Sequence, residues 1–259
     1  MAAPSVDLLM VRDATRRVLR SIDELSDEQA HAPSRLPGWN RAEVLTHLAR
    51  NADGVRNMVE GALRSEETAM YPGGTEQRAA GIAAGRDEPA ATLRLDVRRA
   101  SDRLAEAFGQ LQGDAWNRTG MASRRRTMRE LPWVRLREVE IHHVDLDLGY
   151  EPGDWPVTFV SGALDEIMTT LSSRAIESRP RTTARYRVVT TDHERAWRVE
   201  LHDDDVIVGA DEGGAVDGEV RGWGCDVAAW FYGRDVNGGS VTASGDPGVL
   251  QLPRWFPFA

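Results

Sequence analysis

Glu138 and His142 stand four residues apart in the run RELPWVRLREVEIHHVDLDLG. At 100° per residue they fall about 40° apart on a helical wheel. The same side carries Leu131, Val134 and Ile141. A carboxylate and an imidazole therefore point toward what should be an apolar core, where an unpartnered polar group is costly. His47 behaves alike: it falls among Val44, Leu48 and Asn51, on the apolar side of another helical stretch. Two histidines and one carboxylate form a three-ligand set suited to catalytic zinc, with a fourth position left for water or substrate. Iron or another first-row metal accepts the same donors. The spacing leaves an alternative open, because Glu and His at i, i+4 also make ordinary helix hydrogen bonds and His47 can be a core histidine bonded to a carbonyl.

The elements that must position these side chains are legible in the periodicity. Leu8, Val11, Val18, Ile22 and Leu25 mark one face of a first helix. After the Pro37-Gly38 turn, Asn40 and Glu43 have the spacing of a capping box. The helix they open carries Val44, Leu48, Ala52, Val55 and Val59 as its stripe. Residues 71–87 read as a long connection with a short helix, and Pro89 opens a third helix along Leu93, Val97, Ala100, Leu104 and Phe108. A loop with the basic run Arg124-Arg125-Arg126 follows. Pro132 opens a fourth helix to about Leu148, and Gly149 suits its end. Four such helices predict a bundle over residues 1–150. Past Glu151-Pro152-Gly153 the character changes: a helix from Pro156, strand-like runs at 184–190, 196–201 and 206–208, a short helix over 225–232 and a last strand near Val241. The expected class is α+β, with a smaller α/β domain over residues 154–259.

Bulk properties narrow the function. The chain has 259 residues, enough for one large or two modest cores. Its net charge of −9 is a poor match for nucleic acid. The single cysteine, Cys225, excludes an intramolecular disulfide and a cysteine-based zinc site, and reads as a buried small hydrophobe. MAAPSVDLLMVRDATRR reads as the start of an amphipathic helix rather than a signal peptide. No stretch approaches a membrane span. The expectation is a cytoplasmic protein with no membrane partner.

Two segments carry a resemblance. LPGWNRAEVLTHLARNA, residues 36–52, and RELPWVRLREVEIHHVDLDLG, residues 129–149, resemble the two signatures of the DinB-like, mycothiol-dependent maleylpyruvate isomerase family. MYPGG at 70–74 and the final PRW at 253–255 also fit. The resemblance implies a DinB-like four-helix bundle followed by a smaller C-terminal α/β domain. It implies His47, Glu138 and His142 as ligands of a divalent metal such as zinc. It also implies a functional arginine in a Gly-Arg segment of the second domain, here Gly233-Arg234. The implied cofactor is mycothiol, a low-molecular-weight sugar thiol, and the implied activity is conversion of maleylpyruvate to fumarylpyruvate. In that chemistry zinc favours the thiolate. The thiolate adds to the double bond, rotation follows, and its loss gives the trans isomer. Arg234 then serves to hold a carboxylate of the anionic substrate through its planar fork.

Other residues have plainer readings. Asp145, one turn beyond His142, is suited to orient a ligand imidazole. His143 points about 100° away and reads as peripheral. His31, His193 and His202 fall in loop or strand contexts and read as solvated. The Arg124–Arg126 run reads as a solvated loop with some prospect of meeting an anionic substrate, and Trp39 and Trp133 read as structural anchors. Two further functions remain open on these residues: a mycothiol S-transferase acting on another electrophile, and a non-catalytic metal- or thiol-binding protein.

Overall fold

The computed structural model describes residues 5–177, 179–192, 194–234 and 241–258. The chain divides into two compact units, Met1–Tyr150 and Glu151–Ala259. The first is helical and the second is built on a sheet.

In the helical unit four long helices form a ring: α1 (Ser5–Ser21), α3 (Arg41–Leu63), α5 (Ala90–Gln110) and α6 (Leu131–Asp145). α3 packs on α5 and α6, and α1 packs on α6 and α5. Two short helices, α2 (Asp27–His31) and α4 (Gly74–Ala83), lie in the connections. α3 starts where the capping box puts it. Asn40 Oδ1 accepts from Glu43 N at 2.9 Å, and Glu43 Oε2 accepts from Asn40 N at 3.0 Å. α6 ends before Gly149: its C-cap is Leu146, and the next residue, Asp147, takes the left-handed conformation at φ 53°, while Gly149, also left-handed at φ 85°, turns the chain two residues later.

α6 differs from the other three. It buries residues on nearly every side, including Arg135, Glu140, His143 and Asp145. Its sequence has no clean apolar stripe, so the helix is buried through pairing of its polar groups rather than by amphipathicity. Arg135 Nη1 donates to Leu48 O at 2.9 Å and Asn51 Oδ1 at 2.8 Å on α3. Glu140 is paired with Arg17 of α1 and accepts from Tyr150 Oη at 2.7 Å.

A two-stranded hairpin, β1 (Thr119–Met121) and β2 (Arg125–Thr127), occupies the stretch read as a loop before α6. Each strand has three residues, too short to show a period. Its partner fixes it: Met121 N donates to Thr68 O at 3.0 Å, and Met70 N donates to Met121 O at 2.7 Å. The Met70–Tyr71 segment in turn lies against Gly54 of α3, where a Cβ would sit 2.9 Å from Met70 Cγ and 3.0 Å from Tyr71 Cε1. A side chain there would push this segment off the helix.

The second unit has a five-stranded sheet in the order β5 (Asp205–Ala210), β4 (Arg195–His202), β3 (Thr183–Thr190), β6 (Gly218–Gly222), β7 (Thr242–Gly245). Only β3 and β6 run parallel; the other pairs are antiparallel. α7 (Val157–Thr170) and α8 (Gly224–Phe231) pack together, and the inward row of β3 and β4 includes Tyr186, Val188, Val199 and Leu201. β6, GEVRG, carries one apolar residue between glycines and shows no strand signal by itself. A short last helix, α9 (Leu252–Trp255), follows. The expected α+β class, helical first and sheet-bearing second, is the class observed. Among the described residues no helix is long and apolar enough to cross a membrane.

Candidate metal centre and its cavity

His47, on the second turn of α3, is 2% exposed. Glu138 and His142 reach it from α6. His47 Nε2 lies 3.0 Å and His142 Nε2 3.6 Å from the same oxygen, Glu138 Oε2. One ligating atom from each residue lies within 4.8 Å of the others. The two imidazoles meet edge to face at 4.4 Å between centroids.

The surroundings hold this arrangement from both helices. Asp145, buried, places Oδ2 2.8 Å from His142 Nδ1, so that nitrogen carries the proton and Nε2 is turned to the cluster. Arg78 of α4 donates from Nη2 to His47 Nδ1 at 3.2 Å. A guanidinium only donates, so His47 accepts at Nδ1 and turns its Nε2 proton to Glu138. Trp39 packs its edge against His47 at 5.9 Å between centroids. The segment before α3 is clasped to the end of α6. Arg41 Nε donates to Leu146 O at 2.5 Å, Arg41 Nη2 to Asp147 O at 3.0 Å, and Arg35 N to Asp145 O at 2.9 Å. The first of the two family-like segments is thus tied to the backbone of the second by the Arg41 side chain, and by the backbone of Arg35 immediately before it.

Electrostatics follow the geometry. Burial opposes ionisation of Glu138, yet hydrogen bonds from His142 and His47, with their charges, hold its carboxyl well below the usual carboxylate range. Burial also opposes charge on His142, and the bonds to Asp145 and Glu138 outweigh it, so its pKa rises. His47 is pushed down to about 4, chiefly by burial and then by the charge of His142. The centre therefore holds an ionised Glu138 and a neutral His47, beside a His142 whose charged form is favoured more than in water.

This donor set fits a divalent ion. Ligands at about 2.0 Å from a tetrahedral zinc stand about 3.3 Å apart, close to the 3.0 and 3.6 Å between the imidazole nitrogens and Glu138. Both Nε2 atoms face the carboxylate, and Asp145 fixes the tautomer of His142 in the sense that a ligand needs. Ligation by His47 Nε2 would leave the ring proton on Nδ1, and Arg78 Nη2 would then have to leave its place there.

Beside the cluster opens a cavity of about 550 Å³, within the helical unit. His47 and Glu138 form part of its wall, with Tyr71, Arg78, Arg126 and Arg137. Of the basic run, only Arg126 turns in: it is 11% exposed, against 59% for Arg124 and 64% for Arg125. Arg126 Nη1 lies 3.4 Å from Glu130 Oε1.

Arg234 lies in the second unit, just past α8. Its backbone N donates to Ala229 O at 2.8 Å and its Nη1 to Tyr232 O at 2.6 Å. Cys225 at the start of α8 is half-buried rather than fully buried, because one side of that first turn is open, and burial raises its pKa. His143 is not peripheral in the sense of solvated. It is 1% exposed, stacks on Tyr150 at 3.8 Å and meets Ser21 Oγ at 2.8 Å, since α1 covers that face of α6. Burial and Arg17 push its pKa down to about 3. His31 and His202 are exposed, with His31 Nε2 3.1 Å from Glu88 O. His193 lies outside the described residues.

Arg135, Arg78 and Arg137 went unread in the sequence. Arg135 had a signal: it precedes Glu138 by three and His142 by seven, on the same stripe. Arg78 and Arg137 had none, because nothing local tells which arginine a cavity will gather.

A crystal structure of the mycothiol-dependent maleylpyruvate isomerase superposes on this chain with a TM-score of 0.77 and 24% identity, covering 95% of this chain and 97% of that one. A structure of a histidine-to-alanine mutant of that enzyme gives the same values. At this identity the likeness establishes the fold. None of the curated proteins matches the chain. The family model described as "Mycothiol maleylpyruvate isomerase N-terminal domain" matches residues 11–147, from within α1 to just past α6, and so takes in all three residues of the cluster. With more than half of its length in that match, the chain belongs to the mycothiol maleylpyruvate isomerase N-terminal domain family.

Proposed function

We propose that the protein is a metal- and mycothiol-dependent isomerase that converts maleylpyruvate to fumarylpyruvate, with zinc as the metal. The observation that carries this reading is the convergence of His47, Glu138 and His142 inside the family-matched segment, with His47 and Glu138 forming part of a cavity wall. When bound, the ion and the thiol together supply a Lewis acid and a thiolate nucleophile for reversible addition to a carbon–carbon double bond.

The protein's residues do the rest. His47, Glu138 and His142 would hold the ion by Nε2, Oε2 and Nε2. Asp145 keeps His142 in one tautomer and one orientation. Arg135 fixes α6 to α3 through Asn51 and the Leu48 carbonyl, which sets the spacing between His47 and the other two ligands. Glu138 has its negative charge in place before any ion arrives. Arg234 is proposed to hold a substrate carboxylate by its fork. Cys225, with a raised pKa, is a poor nucleophile, in keeping with a thiol supplied from outside.

The test is to mix zinc-loaded protein, mycothiol and maleylpyruvate and to follow the substrate's absorbance. Turnover that needs added thiol and survives Cys225→Ala is expected. Full turnover without thiol would overturn the reading, and a product that keeps the thiol attached would replace it with an S-transferase.

A further inference from the structure

Two demands on His47 exclude each other. Its Nε2 lies 3.0 Å from Glu138 Oε2, and its Nδ1 accepts from Arg78 Nη2 at 3.2 Å. A neutral imidazole has one ring proton, so an accepting Nδ1 means a protonated Nε2. An ion on Nε2 takes the lone pair there, and the ring proton then belongs on Nδ1. The ring keeps one proton in both arrangements; only its place changes. A guanidinium has donors alone, so it cannot keep its contact with an Nδ1 that has become a donor. His47 can hold Arg78 at Nδ1 or an ion at Nε2, but not both.

What Arg78 fastens is α4. This ten-residue helix is too short to be stable by itself. Its N-cap, Gly73, makes no side-chain cap hydrogen bond, and Gly74 sits in the left-handed region at φ 69°. Residues 74–77 are exposed, and Gly74, Thr75 and Arg78 border the cavity beside the metal cluster. The other end is better seated. Ile82 is buried, and a Cβ on Gly85 would collide with Thr46 of α3. Just beyond, Arg86 Nη1 donates to Glu43 Oε2 at 3.0 Å, and Arg86 O accepts from Asn40 Nδ2 at 2.9 Å. Among the described residues, Arg78 is the one side chain of α4 with a hydrogen bond to α3 or α6. α4 is thus packed on α3 at its C-terminal end and tied at its middle by one contact, whose acceptor is a candidate metal ligand.

We propose that Arg78 is a latch released by the metal. With Arg78 on His47 Nδ1, α4 is held along the rim of the cavity. With an ion on His47 Nε2, Arg78 is expelled, and the N-terminal half of α4 moves about its seated end and opens the cavity. The proposal rests on the reading that the ion binds through His47 Nε2. It sets an order, ion before small molecule, and it makes loss of the Arg78 contact part of the cost of zinc binding.

Hydrogen exchange of the full-length protein, followed by mass spectrometry of the peptides that cover α4, reads the latch. Zinc should speed exchange in α4 by about ten- to a hundred-fold, the range for one hydrogen bond from a charged donor. Exchange in α5 should not speed up. Arg78→Met should exchange fast in α4 with or without zinc, and His47→Ala should do so without it. Arg78→Met should also bind zinc about tenfold or more tightly in competition with a chromophoric chelator, because it has no contact to break. Removing a nearby positive charge tightens zinc binding as well, so the ring proton is read separately. By NMR of labelled imidazole nitrogens, His47 should carry its proton on Nε2 without zinc and on Nδ1 with zinc. Zinc binding that depends on His47 but leaves α4 exchange unchanged or slower would overturn the latch and leave the metal centre standing. A proton on Nδ1 without zinc, or slow α4 exchange in Arg78→Met, would overturn the latch too. Full zinc affinity in His47→Ala, or no zinc binding by the unaltered protein, would sink the metal reading and the latch with it.

Discussion

Arg135→Met removes a buried charged cross-brace between the helices that carry the metal cluster. Arg135 is 1% exposed, and its Nη1 reaches both Leu48 O and Asn51 Oδ1 on α3. Burial lowers its pKa to about 10, opposed by the nearby charge of Glu138, so it remains a cation at neutral pH. Methionine replaces much of the stem but donates nothing. Leu48 lies inside α3 and keeps its helical partner, so the main loss is at Asn51, itself 3% exposed. Losing a hydrogen bond from a charged donor costs about 1.5–3 kcal/mol, and an orphaned buried acceptor about 1–3 kcal/mol. Relief from burying a guanidinium offsets part of this. A net loss of about 2–4 kcal/mol should lower the melting temperature of the helical unit by about 4–16 °C. The spacing between His47 and the α6 ligands should loosen as well, weakening zinc binding by about ten- to a hundred-fold, as for other groups that support ligands from behind. Circular dichroism melts and competition with a chromophoric chelator read the two effects. The double variant with Asn51→Ala should cost much less than the sum of the two single changes. Melting within about 2 °C of the unaltered protein, with full zinc affinity, would refute the cross-brace.

Three further outcomes are expected. Zinc affinity should fall as pH falls, and the fall should begin above the ordinary imidazole value of about 6.5. The reason is that the proton competing for His142 is held more tightly than usual, while Glu138 stays ionised far lower; a flat affinity between pH 8 and pH 6, both roughly placed around that value, would contradict this. His142→Ala should lose most of the metal, whereas His143→Ala should keep it and lose about 2–3 kcal/mol of stability from the gap left against Tyr150; elemental analysis and melts distinguish the two, and metal loss in both would show that the neighbouring histidine had been misread. Arg234→Ala should lower catalytic efficiency with an anionic substrate by about ten- to a hundred-fold at constant metal content, with Arg234→Lys recovering part of it. Unaltered kinetics in Arg234→Ala would reduce that residue to closing α8 through the Tyr232 carbonyl.

The sequence by itself determined what depends on neighbours in the chain. The Asn40–Glu43 box starts α3, because both of its hydrogen bonds close within four residues. The apolar period sets the faces of α1, α3 and α5. The four-residue spacing of Glu138 and His142 puts them on one stripe, since 3.6 residues make a turn. His47 was legible as a polar residue on an apolar face, although its partner 91 residues away was not visible from α3 alone. Tertiary structure decided the rest. β1 and β2 have three residues each and exist because Met121 finds Thr68 and Met70. β6 exists because β3 lies beside it. His143 is buried because α1 covers α6, a fact its own helix does not encode. Whether Arg126 faces solvent or a cavity depends on how a hairpin packs, and its two neighbours of the same residue type took the other outcome. Charge is a property of the chain, but which charges meet is set by long-range packing, where contacts are chosen by the whole fold rather than by residues three or four places away.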